Sequence, residues 1–166
     1  MAGTANDCRL KFKSWNGLKE GVQVDRAIVN PYNRLTHRHL SSKTTAWCAI
    51  ACVEAQVQGG IQKSKVYKSS GCSQQMAWFK KKKRFKKRGV KPQASWLVFY
   101  NFKKVKKAGV STHIGMVTST DTKKKGYMYV IEGNKKLKNG KDGVGYRHIS
   151  YYSKDIIGYG IPYYNK

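Results

Sequence analysis

The chain has 166 residues, with 34 Lys and Arg against 8 Asp and Glu, and a formal net charge of +26. A chain of this length buries roughly 70% of its unfolded surface, which suits a single domain over residues 1–166. The charge favours a polyanionic partner, such as nucleic acid, an anionic membrane or an anionic wall polymer. The 4 cysteines are too unevenly spaced for a disulfide-rich scaffold, so we interpret them as reduced thiols.

The N-terminal segment MAGTANDCRLKFKSW lacks the continuous apolar core of a signal peptide. No apolar run approaches the roughly 18 residues that a membrane span requires. We therefore expect synthesis in the cytoplasm, no membrane span and, for any role outside the cell, another route of export. We also expect a monomer.

The first third of the chain has the pattern of helices. Residues 5–34 place scattered apolar side chains among polar ones, which predicts one or two amphipathic helices. Gly17 and Gly21 are expected to interrupt them and Pro31 to stop them. After a polar loop, residues 46–58 predict a further helix, which Gly59 and Gly60 end.

This helix over 46–58 carries small residues at positions i, i+3, i+4 and i+7, namely Cys48, Ala51, Cys52 and Ala55. They form a narrow face that can pack closely against a flat surface. Residues 72–81 predict another helix, with Ser73 as its N-cap.

Beyond residue 92 the period changes to that of strands. Short aromatic and β-branched stretches alternate with Gly-rich or Lys-rich turns: SWLVFYNF (95–102), THIGMVTS (112–119), YMYVIEG (127–133), VGYRHIS (144–150) and IIGYGIPYY (156–164). Helices followed by strands predict an α+β domain, in which N-terminal helices pack on a C-terminal antiparallel meander of about five to six strands.

Cys48 has the position of a reactive thiol. If Thr45 is the N-cap, Cys48 is the third residue of the helix, where the positive end of the helix dipole favours a thiolate. A nucleophilic thiolate needs a histidine as its base. Among the histidines, we favour His113 because it begins an apolar strand and Gly115 leaves space beside its ring.

A third polar group is expected to orient that imidazole. Glu132 and Asn134 share a parity on or just beyond a strand, so both side chains can point to one side of the sheet, beside His113. Cysteine, histidine and an acid or amide would then meet where helix and sheet touch, as in a catalytic triad.

The motifs W-C-A (47–49), H-I-G-M-V (113–117), E-G-N (132–134) and IIGYGIPYY (156–164) occur in an order and spacing that resemble the CHAP family. These are cysteine, histidine-dependent amidohydrolases and peptidases, and the similarity is to the catalytic domains of phage endolysins in particular. It covers roughly residues 5–164. The segment VKPQASW departs from the K-P-G-D turn of similar members.

The resemblance implies a papain-like fold and cleavage of peptidoglycan, as an N-acetylmuramoyl-L-alanine amidase or a peptide-bridge endopeptidase. It implies Cys48 as nucleophile, His113 as general base and then acid, Glu132 as the orienting acid and Asn134 as a further member. The enzyme would reach the wall after cell release or holin-type export, without a separate wall-binding domain. Anionic wall polymers would contact its basic surface, and we predict no metal or cofactor.

Other interpretations stay open at this stage. Cys52 is expected to be a packing residue, and a zinc site from His37, His39, Cys48 and Cys52 matches no common spacing. We interpret His148 as an exposed strand residue and the basic run over 80–91 as a solvated loop or helix end. The rival functions are a basic nucleic-acid-binding protein, a polyamine amidase of related fold, and a toxin-like effector that attacks another cell's wall.

Overall fold

The computed structural model describes residues 3–165 and is a mixed α+β structure with one six-stranded antiparallel sheet. The helices are α1 (Ala5–Lys13), α2 (Val22–Val24), α3 (Asn30–Thr36), α4 (Cys48–Gln58) and α5 (Cys72–Lys81), with a 3₁₀ turn at Lys63–Lys65. The strands are β1 (Phe85–Lys87), β2 (Leu97–Tyr100), β3 (His113–Thr120), β4 (Tyr127–Lys136), β5 (Asp142–Ser150) and β6 (Ile156–Gly160). The α+β prediction is confirmed. None of the helices within residues 3–165 is long and apolar enough to cross a membrane.

The predicted stop at Pro31 is wrong. A π-helical turn (Asp25–Val29) joins α2 to α3, and the helix continues through Pro31 to Thr36. Proline has no N–H to donate to the carbonyl four residues earlier, which here belongs to Ala27. The side chain of Gln58 supplies that donor, with Nε2 3.1 Å from the Ala27 oxygen. A contact from another helix therefore satisfies the carbonyl that the proline leaves free.

The sheet order is β1-β6-β2-β3-β4-β5, so the chain forms a meander only from β2 to β5. The predicted position of the last strand is wrong, because β6 pairs with β2 instead of β5. The outer edge of β5 is already covered: the N–H of Val144 donates to the Leu18 carbonyl, the Val144 carbonyl accepts from the Gly17 N–H, and Lys19 bridges Gly143. The last strand therefore pairs at the free edge of β2.

Sequence patterns missed β1, which lies inside the basic run over 80–91. It pairs with β6 through Phe85, Lys86 and Lys87. Only Phe85 in this strand is apolar, so no alternation marks it. Arg84, just before β1, donates from its guanidinium to the carbonyls of Ile161 and Pro162, which ties the run to the end of the chain.

Apolar side chains fill both faces of the sheet. The larger core lies between the helices and one face, and α4 runs through its centre. The small face of α4 packs on β4 as expected: a Cβ built on Gly133 would lie 2.7 Å from the Trp47 ring and 3.1 Å from Ala51 Cβ. Glycine at 133 therefore sets how closely the start of α4 approaches the sheet.

This contact predicts the effect of Gly133→Ala. The added methyl meets the rigid Trp47 ring, so the substitution is expected to lower the free energy of unfolding by about 1–3 kcal/mol through overpacking. Gly145→Ala is the control, because its Cβ would meet the movable end of Leu137 at 3.0 Å. Urea unfolding of both variants measures the difference, and equal midpoints would contradict a tight contact between α4 and β4.

Candidate active site

Cys48 is the first residue of α4, because the helix begins later than the sequence suggests. Trp47 is the N-cap, so the prediction of Thr45 as N-cap with Cys48 in third place is wrong. Residues 41–45 form a turn of their own, in which Thr44 and Thr45 donate to the Ser41 carbonyl. Cys48 nevertheless lies in the first turn, where the helix dipole favours a thiolate. Cys48 is only 5% exposed.

Asn134 holds the start of α4. The backbone N–H of Trp47 donates to Asn134 Oδ1, in place of a side-chain cap from the helix's own N-terminal segment. Asn134 adopts a left-handed backbone with φ 50°, at an irregularity in the pairing of β4 with β5 between Glu132 and Lys135. The irregularity breaks the parity rule, so Asn134 contacts the backbone beside Cys48 and Glu132 contacts His113. Of the two side chains expected on one side of the sheet, Glu132 thus contacts the imidazole and Asn134 contacts the start of α4.

His113 begins β3, and its Nε2 lies 3.2 Å from Glu132 Oε1. Nε2 makes no aligned hydrogen bond, and the contact is an ion pair when the ring is protonated. The ring also packs against Tyr100 and Phe102, with centroids 5.9 and 6.0 Å away. Gly115 makes room for the acid, because a Cβ there would lie 2.7 Å from Glu132 Cγ. The space predicted beside Gly115 is therefore filled by Glu132.

Glu132 is fully buried and has a second partner that sequence reasoning missed. Arg147 on β5 donates from Nε to both carboxylate oxygens, at 3.0 Å each. Its guanidinium lies over the rings of Phe102 and Tyr100. The signal was an arginine within the aromatic strand VGYRHIS, directly after the strand that carries Glu132. Without this cation, a buried carboxylate would be costly.

Cys72 is the other residue that sequence reasoning missed. It is the first residue of α5, and its Sγ lies 3.5 Å from Cys48 Sγ. Ser73, predicted as the N-cap of α5, instead exchanges hydrogen bonds with the backbone of Ser111, and Gly71 is the cap. No spacing rule links two thiols 24 residues apart, so only the tertiary structure shows the pair.

These contacts set the protonation of the site. The pKa of Cys48 is well below its ordinary value, chiefly because Cys72 donates a hydrogen bond to its sulfur; burial opposes this shift, and His113 and the Ala49 N–H add to it. Burial lowers the pKa of His113, but its interactions with Cys48 and Glu132 outweigh burial and raise it to about 9. Burial also raises the pKa of Glu132, yet His113 and Arg147 lower it overall. These shifts favour a thiolate at Cys48 and an imidazolium at His113.

The surrounding residues have clear roles. Cys52 is fully buried, and burial first, then the charges of Cys48 and Glu132, raise its pKa well above the ordinary value. It stays a thiol and packs in the core, as expected. His148 is exposed on β5, where it pairs with Asp121 and stacks on Tyr129. His37 and His39 line a separate surface cavity.

A cavity of about 330 Å³ opens beside His113. It is lined by Phe102, Lys103, Thr112, His113, Asn134, Lys135, Lys136, Asp142 and Arg147. Its one acid, Asp142, lies 4.0 Å from Lys136 Nζ, so the remaining basic groups give the cavity a positive lining. Within residues 3–165, no three His, Cys, Asp or Glu side chains are grouped to hold a metal ion, and the zinc site considered from the sequence is not formed.

Comparisons with protein families, with curated proteins and with solved structures found no match to this chain. A proposal for the function therefore depends on the geometry and chemistry of the site.

The protonation of the site is open to direct titration. Cys48 is expected to remain a thiolate at neutral pH and to become a thiol only as pH falls through its lowered pKa, while His113 loses its proton as pH rises through about 9. The ion pair should thus exist between these limits. His113→Ala removes one cause of the shift, so the thiolate should appear at higher pH.

The measurement is ultraviolet absorbance of the thiolate, with Cys48→Ala subtracted as background. Cys52→Ala is the matched control, because this buried thiol stays protonated and its loss should leave the titration unchanged. A wild-type protein that forms thiolate only at alkaline pH would contradict the ion pair.

Proposed function

We propose that the protein is a cysteine hydrolase of the CHAP type, with a papain-like arrangement, that cleaves an amide bond of peptidoglycan. The observation that supports this most is the row of contacting groups from Cys48 through His113 to Glu132. A buried carboxylate, an imidazolium and a thiolate in contact are the parts of nucleophilic catalysis on an acyl group.

The chemistry follows from the positions of these groups. The Cys48 thiolate attacks the amide carbonyl carbon, and His113 donates its proton to the leaving amine, so the C–N bond breaks and an acyl-enzyme forms. His113 then takes a proton from water, which attacks the thioester and releases the thiolate. Glu132, held by Arg147, orients the imidazole and stabilises its charged form.

The developing oxyanion needs hydrogen-bond donors. The first N–H groups of a helix have no partner within the helix, and Cys48 is the first residue of α4. We assign its backbone N–H as one donor. Asn134 contributes by fixing the Trp47 N–H, and with it the angle at which α4 begins. Its role is positioning, because it contacts the backbone beside the nucleophile.

Two rival functions are less well supported. A polyamine amidase must bind a cationic substrate, which Lys103, Lys135 and Arg147 around the cavity would repel. A nucleic-acid-binding protein accounts for the charge but not for the ion pair at Cys48, and its binding would survive loss of the thiol. An effector that attacks another cell's wall would use the same chemistry as the leading proposal.

A second cavity, of about 890 Å³ and with a basic lining, lies beside β1. Its lining has no acid, contains the apolar side chains of Phe85, Ile156 and Ile157, and carries six basic side chains, Lys80, Lys83, Lys87, Arg88, Lys104 and Lys154. The loop between β2 and β3 lines both cavities, through Asn101 here and Phe102 at the site. We propose that an anionic wall polymer, such as a teichoic acid, binds here and holds the enzyme on its substrate.

The catalytic proposal predicts that Cys48→Ser abolishes lysis of purified walls, because the acyl-enzyme needs the sulfur. His113→Ala is expected to be as severe, and Glu132→Gln, which keeps a hydrogen-bonding side chain, to cost less. Activity should also fall as pH rises through about 9, when His113 loses the proton that the leaving amine requires.

The matched control is His148→Ala, an exposed histidine paired with Asp121, which should keep full activity. Mass spectrometry of the products identifies the bond, and a new free N-terminal L-alanine means an amidase. Wall digestion by Cys48→Ser at the parental rate would exclude Cys48 as the nucleophile.

The wall-binding proposal predicts a difference between substrates. Replacing Lys80, Lys83 and Lys87 with Gln should reduce lysis of intact cells and leave cleavage of a small soluble muropeptide unchanged. The control variant loses the same charge elsewhere: it replaces Lys123, Lys125 and Lys138, which are exposed in other turns, with Gln. Raising salt from about 50 to about 500 mM should weaken cell lysis far more than muropeptide cleavage, since screening shortens the reach of exposed charges.

Equal salt responses on cells and on muropeptide would contradict wall binding by this cavity. Loss of cell lysis in the control triple variant to the same degree would show that total charge matters rather than this position. Nucleic acid would then be the next partner to test.

A further inference from the structure

The thiols of Cys48 and Cys72 are in contact at the candidate active site. Their sulfurs are 3.5 Å apart, and a disulfide bond needs about 2.05 Å. Each cysteine is the first residue of its helix, so two helix N-termini meet at the sulfurs. Negative charge is favoured on Cys48 alone: the hydrogen bond that Cys72 donates to the Cys48 sulfur, and burial, raise the pKa of Cys72 well above its ordinary value. Cys48 is therefore the thiolate that peroxides oxidise, and Cys72 is the thiol beside it.

Hydrogen bonds join the first turn of α5 to the start of α4 and to the segment before His113. Gln75 is buried, and its Nε2 donates to the carbonyl of Ala49, in the first turn of α4, at 3.1 Å. Ser73 exchanges hydrogen bonds with the backbone of Ser111, two residues before His113. These contacts hold Cys72 beside Cys48 in the reduced protein, so the second thiol needs only a short movement to react.

Access and selectivity also favour this pair. Cys72 is partly exposed, whereas Cys8 and Cys52 are fully buried. Burial raises the pKa of Cys8 to about 12 and that of Cys52 well above its ordinary value, so both remain unreactive thiols. Peroxide is therefore directed to Cys48.

We propose that Cys48 and Cys72 form a peroxide-reactive pair, in which peroxide oxidises Cys48 and Cys72 closes a disulfide that stops hydrolysis until a thiol reductant opens it. The loss of hydrolysis rests on the proposed function, whereas the disulfide itself does not. Cys72 is thus a modification site in its own right.

The steps balance with hydrogen peroxide as the oxidant. The Cys48 thiolate attacks one peroxide oxygen, the O–O bond breaks, and the departing hydroxide takes a proton from His113 and leaves as water. Cys72 sulfur then attacks the Cys48 sulfenic sulfur, the S–O bond breaks, and the departing hydroxide takes the Cys72 proton as a second water. The result is one disulfide and two waters from two thiols and one peroxide.

The test is treatment of the full chain with a severalfold molar excess of hydrogen peroxide, followed by intact mass and peptide mapping. The wild type should lose the mass of two hydrogens and yield a linked peptide of Cys48 and Cys72, which dithiothreitol separates. Wall lysis should be lost with the linkage and return completely with the reductant. In Cys72→Ser, the excess peroxide should instead add two or more oxygens to Cys48, and dithiothreitol should not restore the activity that is lost.

Cys52→Ala is the matched control, since it keeps the reacting pair and should still form the linked peptide. A linkage of Cys48 to Cys52, or sulfinic acid on Cys48 of the wild type without any linkage, would overturn the proposal. A linked peptide in a protein that never lyses walls would disprove the proposed function and leave the thiol pair established.

Discussion

The close contact between the start of α4 and strand β4 is the constraint on which the site depends. Gly133 leaves space for the Trp47 ring, and Asn134 accepts the Trp47 N–H. Together they place Cys48 beside the end of the sheet at which His113 begins β3. A side chain at 133 or a different backbone at 134 would move the helix end, and the sulfur with it, relative to the imidazole.

A row of charges and hydrogen bonds runs through the core near the start of β3: Arg147, Glu132, His113, Cys48 and Cys72. Each buried charge has an opposite charge or a donor on both sides, which offsets the cost of removing it from water. Arg147 is the outermost cation and lies partly exposed over Phe102 and Tyr100. The Cys48 thiolate is therefore stabilised by the whole row, and single members are not independent of one another.

The candidate active site and the basic cavity lie on different parts of the fold. The helical core holds α4 rigidly, because this helix is buried along almost its whole length and packs on β3 and β4. The basic cavity lies at the far edge of the sheet, at the short strand β1 and the loop between β2 and β3. In our proposal the chemistry is placed on the rigid elements and the attachment to a polymer on the exposed edge, with one loop common to both.

The sequence by itself determined the features that depend on local pattern. Periodicity predicted helices over 46–58 and 72–81, close to the observed Cys48–Gln58 and Cys72–Lys81, and five of the six strands. The chemistry of Cys48, His113 and Glu132 marked groups that the structure brings together. Tertiary structure decided the rest, because it depends on partners far apart in the chain. Trp47 and Asn134 are 87 residues apart, Cys48 and Cys72 are 24 apart, and β6 joins β2 only because residues 17–20 cover β5. Such pairings leave no period in the sequence, so the role of Asn134, the cation at Glu132 and the second thiol emerge only from the fold.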